Sequence, residues 1–322
     1  MNEIRFDEVT KTFADASSPA IRSCSFTVPS GSFVVLLGPS GCGKTTSLKI
    51  VNRLHDPTSG TVTIGGADIR DLEPTALRRR IGYVIQQIGL FPHMTVAQNI
   101  AVVPQLLGWA KERQAARVRE LLTLVELPPD EYCGRYPAQL SGGEQQRVGV
   151  ARALAGDPDV VLMDEPFGAI DAITRATLQD EMVRLQRKLK KTILFVTHDV
   201  EEALRLADRI VIMWEGRIVQ DGAPLEILTH PANDFVRDLV GANDIVRQLS
   251  LLYVEKAMRP LPEDFHEGEH PTVPCMENLR RALSLLLQSG ASVLTVMDGD
   301  KPAGLLTLDD IRASARPTET RE

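Results

Sequence analysis

Gly38-Pro39-Ser40-Gly41-Cys42-Gly43-Lys44-Thr45 sets glycines, a lysine and a hydroxyl at the spacing of a phosphate-binding P-loop. Glycines let the backbone fold tightly and aim its N–H groups at phosphate oxygens. Lys44 can reach the β- and γ-phosphates of a nucleotide, and the Thr45 hydroxyl can bind Mg²⁺. Such a loop works only between a strand and a helix, because the helix N-terminus favours the anion. Both are at hand: Phe33 to Leu37 is an apolar run of strand length, and Leu48 and Val51 lie on one helical face after the loop. Thr46, in the first turn of that helix, joins the candidate nucleotide-binding set.

Two further segments carry chemistry. Val160-Val-Leu-Met163 reads as a buried strand, and Asp164-Glu165 stand at its end. Ligands of parallel sheets bind beyond the carboxyl ends of strands. Asp164 is then placed to hold Mg²⁺ through water, and Glu165 to orient and polarise an attacking water. A strand ending in Asp-Glu is common, and it gains meaning from the P-loop upstream. Leu140-Ser141-Gly142-Gly143-Glu144 opens a helix and offers a second set of backbone donors. Ser141 followed by Glu144 also has the form of a capping box, and the two readings are compatible.

The elements that must hold these residues follow from hydrophobic patterning. Ile4–Val9, Cys24–Val28, Phe33–Leu37, Thr61–Ile64 and Ile81–Ile85 read as strands, as do Val160–Met163, Ile193–Val196 and Ile210–Met213. Between residues 111 and 126 the apolar positions Val118, Leu121, Leu122 and Val125 recur at helical spacing, and Pro128-Pro129 should end that helix. Strands alternating with helices imply an α/β fold with a mostly parallel sheet. A second unit begins near residue 250: strand Thr272–Pro274, helix Met276–Gln288, strands Val293–Met297 and Ala303–Leu306, and a helix from Leu308.

Composition bounds the function. The 322 residues suffice for two domains, with 43% hydrophobic and 25% charged residues. A formal net charge of −7 argues against nucleic acid as a partner. The opening residues show no secretory signal, and apolar runs are strand-length, so any membrane span must come from another chain. Cys24, Cys42, Cys133 and Cys275 are scattered, without metal-ligand spacing, and read as free thiols of a reducing cytosol.

In order and spacing the motifs resemble the ATP-binding-cassette (ABC) ATPase family across about residues 1–235, with Leu140–Glu144 similar to its signature sequence. Gln86 resembles the glutamine loop, Gly168-Ala-Ile-Asp171 the loop after the catalytic strand, and His198 the switch histidine. Phe13 stands where the family places an aromatic ring, more often tyrosine, under adenine, and Ile170 where leucine is usual. The resemblance implies a P-loop ABC cassette, with a mixed sheet core and a helical subdomain at about residues 90–150. It implies ATP and Mg²⁺ as ligands, with Thr45, Gln86 and Asp164 around the metal and Glu165 and His198 as catalytic residues. It also implies a second copy of the chain, packed head to tail. Ser141, Gly142, Gly143 and Glu144 of one copy would then meet the nucleotide held by the other copy's Gly38–Thr46, with Asp171 near by.

The segment 81–96 and Ala101-Val-Val-Pro-Gln-Leu-Leu-Gly-Trp109 resemble the cassettes of quaternary-amine importers, which take up glycine betaine, choline or carnitine. This implies a peripheral subunit at the cytoplasmic face of the membrane. Its partners would be transmembrane permease subunits and, indirectly, an extracytoplasmic solute-binding protein. An importer for another solute and a non-transport ABC ATPase are the alternatives. The second of these usually carries two cassettes or a long coiled-coil insertion. After a linker helix at 236–252, residues 253–314 resemble a single CBS repeat, a small α/β domain, and 315–322 read as a disordered tail. In that family Thr307 and Asp310 would meet an adenine nucleotide, cyclic di-AMP among them, or the unit would respond to ionic strength. The alternative is a structural appendage that binds nothing.

Overall fold

The computed structural model describes residues 2–86, 89–168, 170–262, 268 and 270–314. The expected tail at 315–322 lies outside the described residues, as do Gln87 beside the glutamine loop and Ala169 within the Gly168–Asp171 loop. The chain divides into two compact units, Met1–Ala223 and Pro224–Glu322; the sequence reading drew the first boundary at 235.

Among the described residues the first unit holds ten strands: β1 (Ile4–Lys11), β2 (Ile21–Val28), β3 (Phe33–Leu37), β4 (Ser59–Ile64), β5 (Ala67–Asp68), β6 (Ile81–Val84), β7 (Val160–Asp164), β8 (Thr192–Thr197), β9 (Arg209–Trp214) and β10 (Arg217–Gly222). They form two sheets, one ordered β2-β1-β4-β5 and antiparallel, the other ordered β10-β9-β3-β8-β7-β6. The second is parallel except at its edge, where β10 turns back on β9. In β3, β7 and β8 every residue is buried, as expected of parallel strands covered on both faces. The helix Lys44–Val51 shares one core with both sheets: its Leu48 and Ile50 belong to the same buried cluster as Phe6 and Phe26 of the antiparallel sheet and Leu36 and Leu162 of the parallel one. Burying a side chain such as Leu48 stabilises this contact by about 1.5–3 kcal/mol. Because β3, β8, β7 and β6 run the same way, their carboxyl ends open on one edge, and the chemistry-bearing segments leave from there.

Between β6 and β7 the chain is helical: Val96–Leu106, Lys111–Leu124, Pro129–Tyr132 and Gly142–Leu154. Pro128-Pro129 does not end the long helix as the sequence suggested. That helix stops at Leu124, just before Glu126 takes a left-handed turn (φ 56°), and Pro129 instead starts the next helix. Here proline's fixed φ and missing N–H suit a first-turn position. Asn99 is fully buried, and its side chain ties the preceding loop to its own helix. Its amide donates to the carbonyls of Phe91, Met94 and Thr95, and its oxygen accepts from Phe91 N–H.

In the second unit the anticipated linker helix is broken in two, Asp234–Val240 and Ile245–Leu249, by Gly241 in the left-handed region (φ 62°). Strands β11 (Thr272–Pro274), β12 (Val293–Asp298) and β13 (Lys301–Thr307) form a sheet in that order, parallel then antiparallel. The intervening helix spans Leu279–Ser289 rather than starting at Met276, because Asn278 caps it by accepting from Arg281 N–H. Leu249, Val254, Leu286, Leu294 and Leu306 lie in a core of this unit's own.

Candidate active site

The P-loop connects β3 to the helix Lys44–Val51. Its crown, Pro39-Ser40-Gly41, is exposed, while Gly38, Cys42, Gly43 and Lys44 are buried. Lys44 Nζ donates to the carbonyl oxygens of Gly38 (2.6 Å) and Pro39 (2.9 Å), so the loop is wound around its own ammonium group. Gly43 takes φ 106°, and a β-carbon there would lie 2.5 Å from the carbonyl oxygen of Ala20. Only glycine permits that approach. Thr45 and Thr46 follow, half-buried, in the first helical turn.

Thr45 Oγ1 donates to Asp164 Oδ1 over 2.9 Å, which brings the end of β7 to the P-loop. Burial pushes the Asp164 carboxyl above its ordinary value; the Thr45 hydroxyl opposes that shift, and the adjacent Glu165 adds to it. A buried carboxylate beside a hydroxyl is a hard-oxygen donor pair. Among the described residues no group of three His, Cys, Asp or Glu side chains could hold a metal alone. The Thr45–Asp164 pair fits Mg²⁺, which keeps several waters and needs only one or two protein oxygens beside substrate phosphates.

Glu165 is the convergence point. Its backbone is left-handed (φ 47°), an uncommon state for a side-chain-bearing residue and one that recurs at functional sites. Gln86 Nε2, beyond β6, donates to Glu165 Oε2 at 3.1 Å, and His198 Nδ1, beyond β8, lies 3.0 Å from Glu165 Oε1. Three strand ends thus meet at one carboxylate, with hydrogen-bonding groups on both oxygens. The arrangement can hold a water near the carboxylate and accept its proton.

The remaining sequence-predicted residues lie elsewhere. Phe13 keeps an exposed ring, edge-on to His55 at 5.2 Å between centroids, with Lys11 Nζ 5.2 Å from its centre. An exposed aromatic ring can stack on a planar ligand. Asp171 caps the helix Ala172–Leu189 by accepting from Thr174 N–H. Ser141 caps Gly142–Leu154 in a complete capping box with Glu144, and Gly142 and Gly143 form its first turn. Among the described residues the side-chain hydrogen bonds of Ser141 and Glu144 link them to each other and to Tyr132, and none runs to the P-loop of the same chain. Tyr132, which no sequence signal marked, donates to Glu144 Oε1 at 2.5 Å, and this bond holds the Glu144 carboxyl below its usual range. Thr307 and Asp310 lie in the second unit. The Asp310 carboxylate accepts from Thr307 N–H (3.0 Å), Thr307 Oγ1 (2.6 Å) and Arg259 Nε (2.5 Å).

Comparison with known proteins agrees with this geometry. A family model described as "ABC transporter" matches residues 21–168. The glycine betaine/carnitine/choline transport ATP-binding protein OpuCA of Bacillus subtilis is 48% identical over 92% of this chain and 75% of its own length. The glycine betaine uptake system ATP-binding protein YehX of Escherichia coli is 49% identical over 314 residues, 97% of this chain and 100% of its own. A match of that length runs through the second unit as well as the first. Among solved structures, the ATP-binding cassette MJ0796 in a dimeric post-hydrolysis state bound to ADP and Pi superposes with a TM-score of 0.64 at 33% identity, over 69% of this chain and 98% of that one. The chain therefore belongs to the ABC transporter family, as an ATP-hydrolysing ATP-binding subunit.

Proposed function

We propose that the chain energises uptake of quaternary-amine osmoprotectants such as glycine betaine, choline or carnitine, and that it works as a pair of copies on the cytoplasmic face of a membrane. The convergence of Gln86, Glu165 and His198 beside the Thr45–Asp164 pair carries the catalytic reading. In it, Lys44 and the backbone of Gly38–Thr46 bind the phosphates, and Phe13 stacks on adenine. Thr45, Asp164 and Gln86 would hold Mg²⁺, whose charge offsets that of the phosphates when it is bound. Glu165 takes the proton of the attacking water. His198 fixes that water and the γ-phosphate, and Gln86 steers Glu165. The dimeric state of the solved relative supports a head-to-tail sandwich in which Ser141 and Gly143 meet the other copy's nucleotide. Exchange of Ser141's capping bond for phosphate contacts is a low-cost step, because a helix N-terminus already favours an anion.

The names of the relatives support the solute class. Among the described residues no helix is long and apolar enough to cross a membrane, so permease subunits would supply the path and a solute-binding protein the selectivity. Reconstituted with those partners, the complex should hydrolyse ATP faster when glycine betaine, choline or carnitine is added with the binding protein. Stimulation by a sugar or an ordinary amino acid alone would overturn the assignment.

The second unit supports a regulatory, CBS-like role. Burial works against the Asp310 charge, yet the Thr307 hydroxyl and amide and the Arg259 guanidinium hold its carboxyl below the ordinary value. A nucleotide using Thr307 and Asp310 must therefore displace one of these partners, so binding and rearrangement would be one event. Since Leu249 already belongs to this unit's core, the informative truncation ends at Ala223. In the reconstituted transporter it should retain ATP hydrolysis and lose its response to salt or adenine nucleotides. An unchanged response would make the unit a structural appendage.

A further inference from the structure

Behind His198 lies a buried acid that the reaction scheme does not use. Glu202, in the first turn of the helix Val200–Leu206, is only 6% exposed, whereas its neighbour Glu201 points to solvent. Burying a carboxylate is costly unless donors surround it. Two donors do: Thr197 Oγ1 at 2.7 Å and Gln179 Nε2 at 3.4 Å. The Thr197 hydroxyl, itself buried, also accepts from Asp199 N–H at 3.0 Å. With its proton committed to Glu202 and its lone pair to Asp199, that hydroxyl has a single orientation. It spans the three-residue turn at whose centre His198 sits.

The same turn is tied on its other side. Arg175 reaches Asp199 Oδ2 at 3.9 Å and donates to the carbonyl of Ile170 at 2.9 Å, in the loop that follows Glu165. Asp199 in turn caps the helix through Glu201 N–H and Glu202 N–H.

We infer that Glu202 is a positioning residue for His198: through the Thr197 hydroxyl it sets the turn 197–199 so that the imidazole meets Glu165. A carboxylate serves better than an amide because both of its oxygens accept, matching the two donors aimed at it. In Glu202→Gln one acceptor is left for the two donors, so Thr197 and Gln179 compete for it and the hydroxyl of Thr197 is held less firmly. The inference rests on the role proposed above for His198.

The test uses the full-length protein and compares kcat and KM for ATP in Glu202→Gln, Thr197→Val and Thr197→Ser, each in the native and the His198→Ala background. Misplacing a catalytic group by about 1 Å can cost about 100-fold. A loss of about tenfold or more in kcat is therefore expected for Glu202→Gln and Thr197→Val in the native background, while KM moves by less than about threefold, since ATP binding is untouched. Thr197→Ser, which keeps the hydroxyl, should restore the rate. In the His198→Ala background the same changes should add less than about twofold, because residues acting as one unit are not additive. Thr197→Val keeps the volume, so it asks the question again should Glu202→Gln fold poorly. Equal fractional losses in both backgrounds would show a merely structural network and overturn this inference alone. Full turnover in His198→Ala itself would overturn the reading of His198 and this inference with it.

Discussion

Glu165→Gln should leave ATP bound and cut its hydrolysis by about 10²–10⁴-fold, the usual contribution of a general base. The amide preserves shape and can still pair with Gln86 and His198, but it cannot take a proton from water. The contacts of Lys44 with its loop and of Thr45 with Asp164 do not involve the Glu165 side chain, so the groups that would hold the phosphates and Mg²⁺ stay in place. In the head-to-tail pair proposed above, Ser141 and Gly143 would meet the γ-phosphate that hydrolysis removes, so the ATP-bound pair should accumulate. Single-turnover phosphate release, with light scattering in the presence and absence of ATP, checks both halves. Near-normal turnover would remove Glu165 from the role assigned to it.

Gly38→Ala should abolish nucleotide binding and lower stability, whereas Gly41→Ala, three residues on in the same loop, should be mild. At Gly38 (φ 156°) an added β-carbon would lie 2.2 Å from the carbonyl oxygen of Met213 on β9 and 2.9 Å from Cys42 Sγ. Neither can give way cheaply, because Met213 sits in the sheet and Cys42 is buried within the loop. Overpacking of this kind costs about 1–3 kcal/mol, and the loop shift misaligns the donors for phosphate. At Gly41 (φ 81°) the β-carbon meets open space, so only the left-handed backbone is penalised, by about 1–2 kcal/mol. Thermal melting with and without Mg²⁺-ATP separates the two. A ligand-induced rise in melting temperature should persist in Gly41→Ala and vanish in Gly38→Ala; retention in both would mean that the strand and loop yield more easily than the contact implies.

The parallel strands of the first unit were readable because strands covered on both faces appear as unbroken apolar runs, and Val160–Met163 with its terminal acids is the clearest example, whereas the short β5 and the half-buried edge strand β10 carry no such run and were missed. The P-loop was readable because its spacing is a property of the local chain. The meeting of Gln86 and His198 at Glu165 was a different matter. These residues stand 79 and 33 positions from it, and only the strand order β8-β7-β6 brings them together. Family resemblance alone pointed to that meeting, because no local pattern in the chain encodes strand order. Nor did the sequence separate the antiparallel sheet from the parallel one, since sheet membership depends on pairing register rather than on apolar content. Glu202 was hidden for a simpler reason. An acid in the first turn of a helix is favoured by the helix dipole whether it faces water or the core, so Glu201 and Glu202 look alike until packing sorts them.

The Asn99 side chain gives the loop between β6 and the helical segment an internal frame. Three hydrogen bonds given and one accepted by this amide close the backbone of residues 91–95 onto the helix, while the side chains of Phe91, Pro92 and His93 are exposed. Shape and surface chemistry are thereby uncoupled. The outer side chains can be exchanged while the mount on which they sit keeps its form. Substitutions at these three exposed side chains can therefore change the chemistry of this surface while the loop, and the strands behind it that carry the nucleotide site, keep their form.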